Sequence, residues 1–170
     1  MALPEFHELL RTHAGLIHKV ARAYCRDATD REDVVQEIGA QLWRTRERFD
    51  ASQRLSTWVY RVALNVAISF HRRERRHRGP RASVDGLLAP ADAAVEDDRI
   101  ALLWRCLDDL GALDKALLLL WLDGNDHATA AAVLGLTVTN VGTRLARAKD
   151  KLRAAYSAHT PNDEENDNAR

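Results

Sequence analysis

The chain is predicted to be all-α, with two small helical domains joined by a flexible linker, and three observations lead to that fold class. Apolar residues recur at steps of three and four over long stretches separated by short breaks. Strand-type alternation is scarce, and aromatic residues make up only 6% of the 170 positions. The formal net charge of +0 conceals a segregation into +6 over residues 1–81, −5 over 82–109, +2 over 110–155 and −3 over 156–170. Two basic bodies are thus separated by an acidic connector and followed by an acidic tail, a distribution that suits a polyanionic partner.

Several classes are disfavoured at once. Leu117–Leu122 is far too short an apolar run to span a bilayer, so no membrane insertion is expected. The start, MALPEFHELLRTH, lacks a basic flank followed by an apolar core, which argues against export and for a cytoplasmic protein. Cys25 and Cys106 lie far apart inside apolar helical patterns, without metal-ligand spacing, as expected of reduced thiols. The seven histidines show no ligand spacing, and neither a nucleophile constellation nor a glycine-rich phosphate loop is present. No metal, no cofactor and no enzymatic activity are therefore expected.

Taken in order, Pro4–Arg26 reads as one helix or as a helix broken near Gly15. The segment Asp27-Ala-Thr-Asp30 is a cap-like break with Asp30 as the capping residue, and a helix follows over roughly Arg31–Arg48. A loop over Phe49–Arg54 leads to a long helix, Leu55–Arg78, capped by Ser56 or Thr57. Residues 79–94, rich in Gly, Pro and Ala, read as linker. Helices over Val95–Leu110 and Leu113–Leu122 come next, then a short helix, a tight turn and a long basic helix from Val138 to about Ala155. The polar, acidic end over 157–170 has the composition of a disordered tail.

The helix Leu55–Arg78 is the most informative stretch. At helical spacing Val59, Val62, Val66 and Phe70 share one side, which suits burial. Trp58, Arg61, Asn65, Ser69 and Arg72 share another, and the helix continues into Arg73, Arg75 and Arg76. A ring, an amide and a series of cations along one face can stack on bases, pair with base edges and hold phosphates. The competing reading is a solvated basic face with one core tryptophan. A second constellation lies at 126–155, where Asp126 can cap a short helix and Ala131 is small enough for a close crossing. Gly135 sits at the turn, Thr137 can cap the second helix and Val141 packs it back on the first. This is helix-turn-helix spacing, and its second helix offers Asn140, Thr143, Arg144 and Arg147. A third signal is Asp33, Gln36 and Glu37, an exposed ridge on a helix whose Val34, Val35, Ile38 and Leu42 face a core.

Together, DREDVVQEIGAQLWR, FDASQRLSTWVYRVALNVAISFHRR and the C-terminal helix-turn-helix resemble bacterial sigma-70-type factors, specifically the extracytoplasmic function (ECF) group. The resemblance implies region 2 over 5–78, a linker over 79–94, region 4 over 95–156 and a tail over 157–170. It further implies an alternative sigma factor that binds core RNA polymerase, selects promoters through −10 and −35 contacts and helps open the DNA. By this resemblance Asp33, Gln36 and Glu37 dock on the β′ clamp helices, and region 4 meets the β flap. Trp58 wedges at the edge of the melted −10 element, Asn65 reads an extruded base in a pocket formed by Phe49–Ser56, and Arg61, Arg72, Arg73, Arg75 and Arg76 hold phosphates. Asn140, Thr143, Arg144 and Arg147 lie on the helix that enters the −35 groove. An anti-sigma factor is a further partner that the resemblance admits. The chain departs from its relatives in having Trp58-Val59 where primary factors have two tryptophans, Gly142 where a cation is usual, Ala146 where a bulkier residue is common, and no proline in Leu110–Asp114. A helix-turn-helix regulator acting without polymerase is the alternative, but it leaves the Trp58 face and the Asp33 ridge unused.

Overall fold

The structure, a computed structural model, describes residues 3–78 and 98–159. Among these residues there are eight α-helices and no strand: α1 (Leu3–Thr12), α2 (Ala14–Tyr24), α3 (Ala28–Thr45), α4 (Leu55–Arg78), α5 (Asp98–Asp108), α6 (Ala112–Leu122), α7 (His127–Leu134) and α8 (Val138–His159). A single 3-10 turn, Arg46–Arg48, follows α3. The expected linker and almost all of the expected tail lie outside the described residues, and so do the first residues of the helix expected from Val95. His159, which falls within the expected tail, instead closes α8.

The α1–α2 break falls at His13 rather than Gly15. His13 has left helical geometry (φ −105°, ψ 11°), and its Nδ1 lies 3.0 Å from the Leu9 carbonyl, the acceptor that also serves its own backbone N–H. At α3 the capping residue is Asp27, not Asp30. Asp27 has the extended backbone of an N-cap, and its carboxylate accepts from the Thr29 and Asp30 amides at 2.8 and 3.3 Å. Neither Ser56 nor Thr57 caps α4. The helix begins at Leu55, and the Arg54 carbonyl accepts from the amides of Thr57 and Trp58, so both hydroxyl residues lie inside the first turn.

In the first half, α2, α3 and α4 close around Val20, Val34, Ile38, Leu42, Val59, Ala63 and Leu64, each at most 1% exposed. Helix α1 joins them through Phe6, whose ring meets Trp43 edge-on at 5.0 Å. In the second half, α6 is buried all round: Lys115–Leu120 are six consecutive buried residues. An amphipathic helix buries one stripe, so a helix buried on every side must be central. Helices α7 and α8 pack on it from its own half, and α2 and α4 from the other. The buried residues of both halves therefore form one contiguous cluster.

The helix-turn-helix follows its expected chemistry. Asp126 accepts from the Thr129 amide at 2.7 Å, Gly135 ends α7 at φ 67°, and the Thr137 hydroxyl accepts from the Asn140 amide at 3.2 Å. Val141 is fully buried and Ala131 nearly so, as a close crossing requires.

His71 of α4 packs edge-on against the Tyr24 ring at 6.0 Å. Burial, together with the Lys115 and Arg75 cations, holds its imidazole below the ordinary value of 6.5. Its neutral form is favoured in the fold, so the stability it contributes is full above that ordinary value and is lost as pH falls toward the depressed one. Urea midpoints measured across this window should fall more steeply for the parent chain than for His71→Phe.

Candidate nucleic-acid and polymerase interface

Three surfaces carry the residues singled out by the sequence. On α3, Asp33, Gln36 and Glu37 are exposed while Val34 and Ile38 on the opposite side are sealed in the core. Arg44 donates to the Glu37 carboxylate at 3.0 Å, bordering the ridge with a cation. This surface offers acceptors and negative charge to a basic or amide-rich partner.

On α4, Asn65, Ser69, Arg72, Arg73, Arg75 and Arg76 are all exposed. Asn65, Ser69, Arg72 and Arg76 follow one another at steps of four, three and four, which stacks them along one side of the helix. From Asn65 to Arg76 the helix rises about 16 Å, enough to follow several phosphates of one strand. The guanidinium of Arg73 lies 6.0 Å from the Phe70 ring, which props it outward.

Two members of the expected face are placed differently. Trp58 is only 5% exposed, with its ring 5.3 Å from that of Phe49, so the expectation of a ring presented outward is corrected. It leans from the first turn of α4 under the loop that starts at Phe49, and the apolar ring is removed from water there. Arg61 is half-buried, and its Nη2 donates to the Ala132 carbonyl of α7 at 3.0 Å.

On α8, Asn140, Thr143 and Arg147 are exposed and Arg144 is half-buried. Arg144 donates through Nε to the Asn140 side chain at 3.1 Å and through Nη1 to Asp114 at 3.5 Å. Lys151 reaches the other oxygen of Asp114 at 3.4 Å. Asp114, at the start of α6, thus holds two cationic side chains of α8. Sequence reasoning missed it, since a partner thirty or more positions away leaves no local pattern. Gly142 has positional rather than steric meaning: a Cβ there would meet the His127 ring at an ordinary 3.7 Å. Gly142 and Ala146 form the floor of a shallow groove of about 280 Å³ bordered by His127, Lys149 and Arg153.

An acidic ridge, an arginine-rich helix face and a helix-turn-helix on one all-α chain have the composition of a DNA-binding protein. The family model for Sigma-70 region 2 matches residues 9–77, and that for Sigma-70, region 4 matches 97–152. The RNA polymerase sigma factor CnrH of Cupriavidus metallidurans is 31% identical over 166 residues, covering 90% of this chain and 87% of its own. The ECF RNA polymerase sigma factor SigM of Mycobacterium tuberculosis is 26% identical, covering 86% and 74%. Among solved structures, CnrH in complex with the cytosolic domain of CnrY superposes with a TM-score of 0.71 at 26% identity, over 94% of this chain and 92% of that one. The sigma factor RpoE of Bartonella quintana, solved with the anti-sigma factor NepR, shares the fold with a TM-score of 0.74 at 20% identity, over 93% and 100%. The chain belongs to the sigma-70 family of RNA polymerase sigma factors, in its ECF group.

Burial of Trp58 makes a direct prediction. Trp58→Ala should cost about 3–5 kcal/mol of stability through the cavity it leaves, and Trp58→Phe much less. Chemical denaturation of both variants measures the difference.

Proposed function

We propose that this chain directs core RNA polymerase to a restricted set of promoters by docking through α3 and reading DNA through α4 and α8. The observation that carries this reading is the two-sidedness of α4: one side is sealed in the core, while the other presents Asn65, Ser69, Arg72 and Arg76 in line. A surface of that kind holds a single strand by its phosphates and leaves an amide for a base edge.

In this reading residues 5–78 act as region 2 and 95–156 as region 4. Asp33, Gln36 and Glu37 engage the β′ clamp helices. Asn65 reads a −10 base in the pocket of the 49–56 loop, and Arg61, Arg72, Arg73, Arg75 and Arg76 hold backbone. Trp58 supports that pocket from beneath through Phe49 instead of wedging into the duplex itself. Asn140, Thr143, Arg144 and Arg147 contact the −35 element, with Asp114 holding Arg144 in place, and region 4 meets the β flap.

The chain supplies binding and positioning and no bond-making chemistry, and it works in the cytoplasm beside its polymerase. No helix among the described residues is long and apolar enough to cross a membrane. By analogy with RpoE, solved with the anti-sigma factor NepR, an anti-sigma factor is its regulatory partner. A regulator working without polymerase leaves the α3 ridge without a role.

Two outcomes are expected. The double variant Asp33→Ala, Glu37→Ala should keep its melting behaviour, since exposed changes cost within about 0.5 kcal/mol. It should lose co-elution with core polymerase. Arg73→Ala or Arg76→Ala should weaken all promoters alike and lower the slope of log K against log salt by about 0.7–0.9 per lost contact. Binding titrations over a salt series measure that slope, and a change of sequence preference at constant slope would contradict the backbone assignment.

A further inference from the structure

The small residues of α8 leave a trough along one of its sides. Gly142, Ala146, Lys149 and Arg153 follow one another at steps of four, three and four, so they line up toward the end of the helix at His159. Gly142 and Ala146 form the floor, and His127 of α7 closes one flank. The Lys149 ammonium is held at the edge, 3.7 Å from the centre of the Trp121 ring. Asp150 also lines the trough, but its pair with Arg153 at 3.0 Å joins two exposed side chains, and pairs of that kind contribute little. Along its length α8 carries five Lys and Arg residues against Asp150, its single carboxylate. A trough with a floor of small residues and a cationic rim suits an extended anionic chain.

The protein supplies such a chain directly after α8. Residues 160–170, TPNDEENDNAR, place Asp163, Glu164, Glu165 and Asp167 within five positions. Pro161 has no amide proton with which to prolong α8, and it disfavours helical backbone at Thr160, so the helix has its stop signal at the mouth of the trough. An extended chain covers about 3.3 Å per residue, which gives Asp163 a reach of about 13 Å from His159 and Asp167 about 26 Å. Arg153 and Lys149 lie about 9 and 15 Å back along the helix from the same point. The acidic run is long enough to lie over both cations.

We propose that residues 160–170 fold back into this trough, and that their carboxylates oppose the approach of −35 DNA to α8. Gly142 and Ala146 directly precede Thr143 and Arg147, so charge in the trough lies within a helix diameter, about 10 Å, of the reading side. That is about one Debye length, close enough for carboxylates to repel phosphates and to hold cations that phosphates would take. The tail thereby raises the affinity that a −35 element must reach. The inhibitory role rests on the assignment of α8 to the −35 element; the docking of the tail does not.

Zero-length carbodiimide coupling of carboxylates to lysines in the full chain reads the docking. Of the four lysines, Lys115 is 3% exposed, while Lys151, in line with Arg144 and Arg147 on the reading side, is the internal control. Peptide mapping should find Lys149 joined to the Asp163–Asp167 run within one chain, and Arg153→Ala should lower that yield several-fold. Coupling of the run to Lys151 in preference, to Lys149 of a second copy, or to no lysine overturns the docking. In the second arm, Asp163→Asn, Glu164→Gln, Glu165→Gln and Asp167→Asn are combined in the full chain. The probe is a duplex enriched from a randomised pool by the parent. The neutral-tail variant should bind it about three- to tenfold tighter than the parent at low salt, and the two should converge as salt rises. Equal affinity at low salt, beside coupling at Lys149, overturns the inhibitory role. If the parent enriches no sequence, the −35 assignment of α8 fails and the inhibitory role with it, while coupling at Lys149 still decides the docking.

Discussion

Burial of α6 on every side is the constraint around which the chain is organised. Lys115–Leu120 present no face to water, so neighbours must cover the whole helix, and its own half supplies only part of that cover. The remainder comes from α2 and α4 of the first half. Lys115 places a charge within this union, compensated by the Ala23 carbonyl, Asp108 and the face of Tyr24.

Helix α4 serves two masters, which explains its composition. Val59, Ala63, Leu64 and Ala67 are small or branched residues sealed against α2 and α3, and they make the helix rigid. A rigid helix holds the bases of its exposed arginines at fixed spacing, so that only side-chain freedom is left to lose on binding. Trp58 belongs to the rigid side. Its contact with Phe49 couples the start of α4 to the loop before it.

The helix-turn-helix is built on the same logic. Backbone demands at Asp126, Gly135 and Thr137 are met within a few residues, and the Val141 contact fixes how α8 lies on its partner. Val141, Leu145 and Ala148 form the buried side of α8, and from farther away Asp114 holds the side chains of Arg144 and Lys151. Because the same Arg144 also donates to Asn140, one carboxylate on α6 is linked to two further side chains of α8. The shallow groove over Gly142 and Ala146 is bordered on α8 by Lys149 and Arg153 and closed from α7 by His127.

Helix existence, the acidic ridge of α3, the arginine series of α4 and the helix-turn-helix were all legible in the sequence. Each rests on interactions within four residues or on a repeat along one helix: Asp126 with Thr129, Thr137 with Asn140, Val34 with Ile38. Family resemblance added the meaning of those patterns. Side-chain direction at a helix start was not legible. Spacing put Trp58 on the face of Asn65, but the loop carrying Phe49 folds back over that first turn and takes the ring into the core. Capping was ambiguous for a similar reason, since Asp27 and Asp30 are equivalent candidates until the backbone before them is known to be extended. The union of the halves was invisible altogether. Lys115 pairs with Ala23, Tyr60 with Asp123 and Arg61 with Ala132, and no periodicity links positions so far apart. Local physics determined the helices and their faces. Only the tertiary structure decided which ends of those helices meet, because a carbonyl left over at one helix end can be satisfied by any cation the fold brings to it.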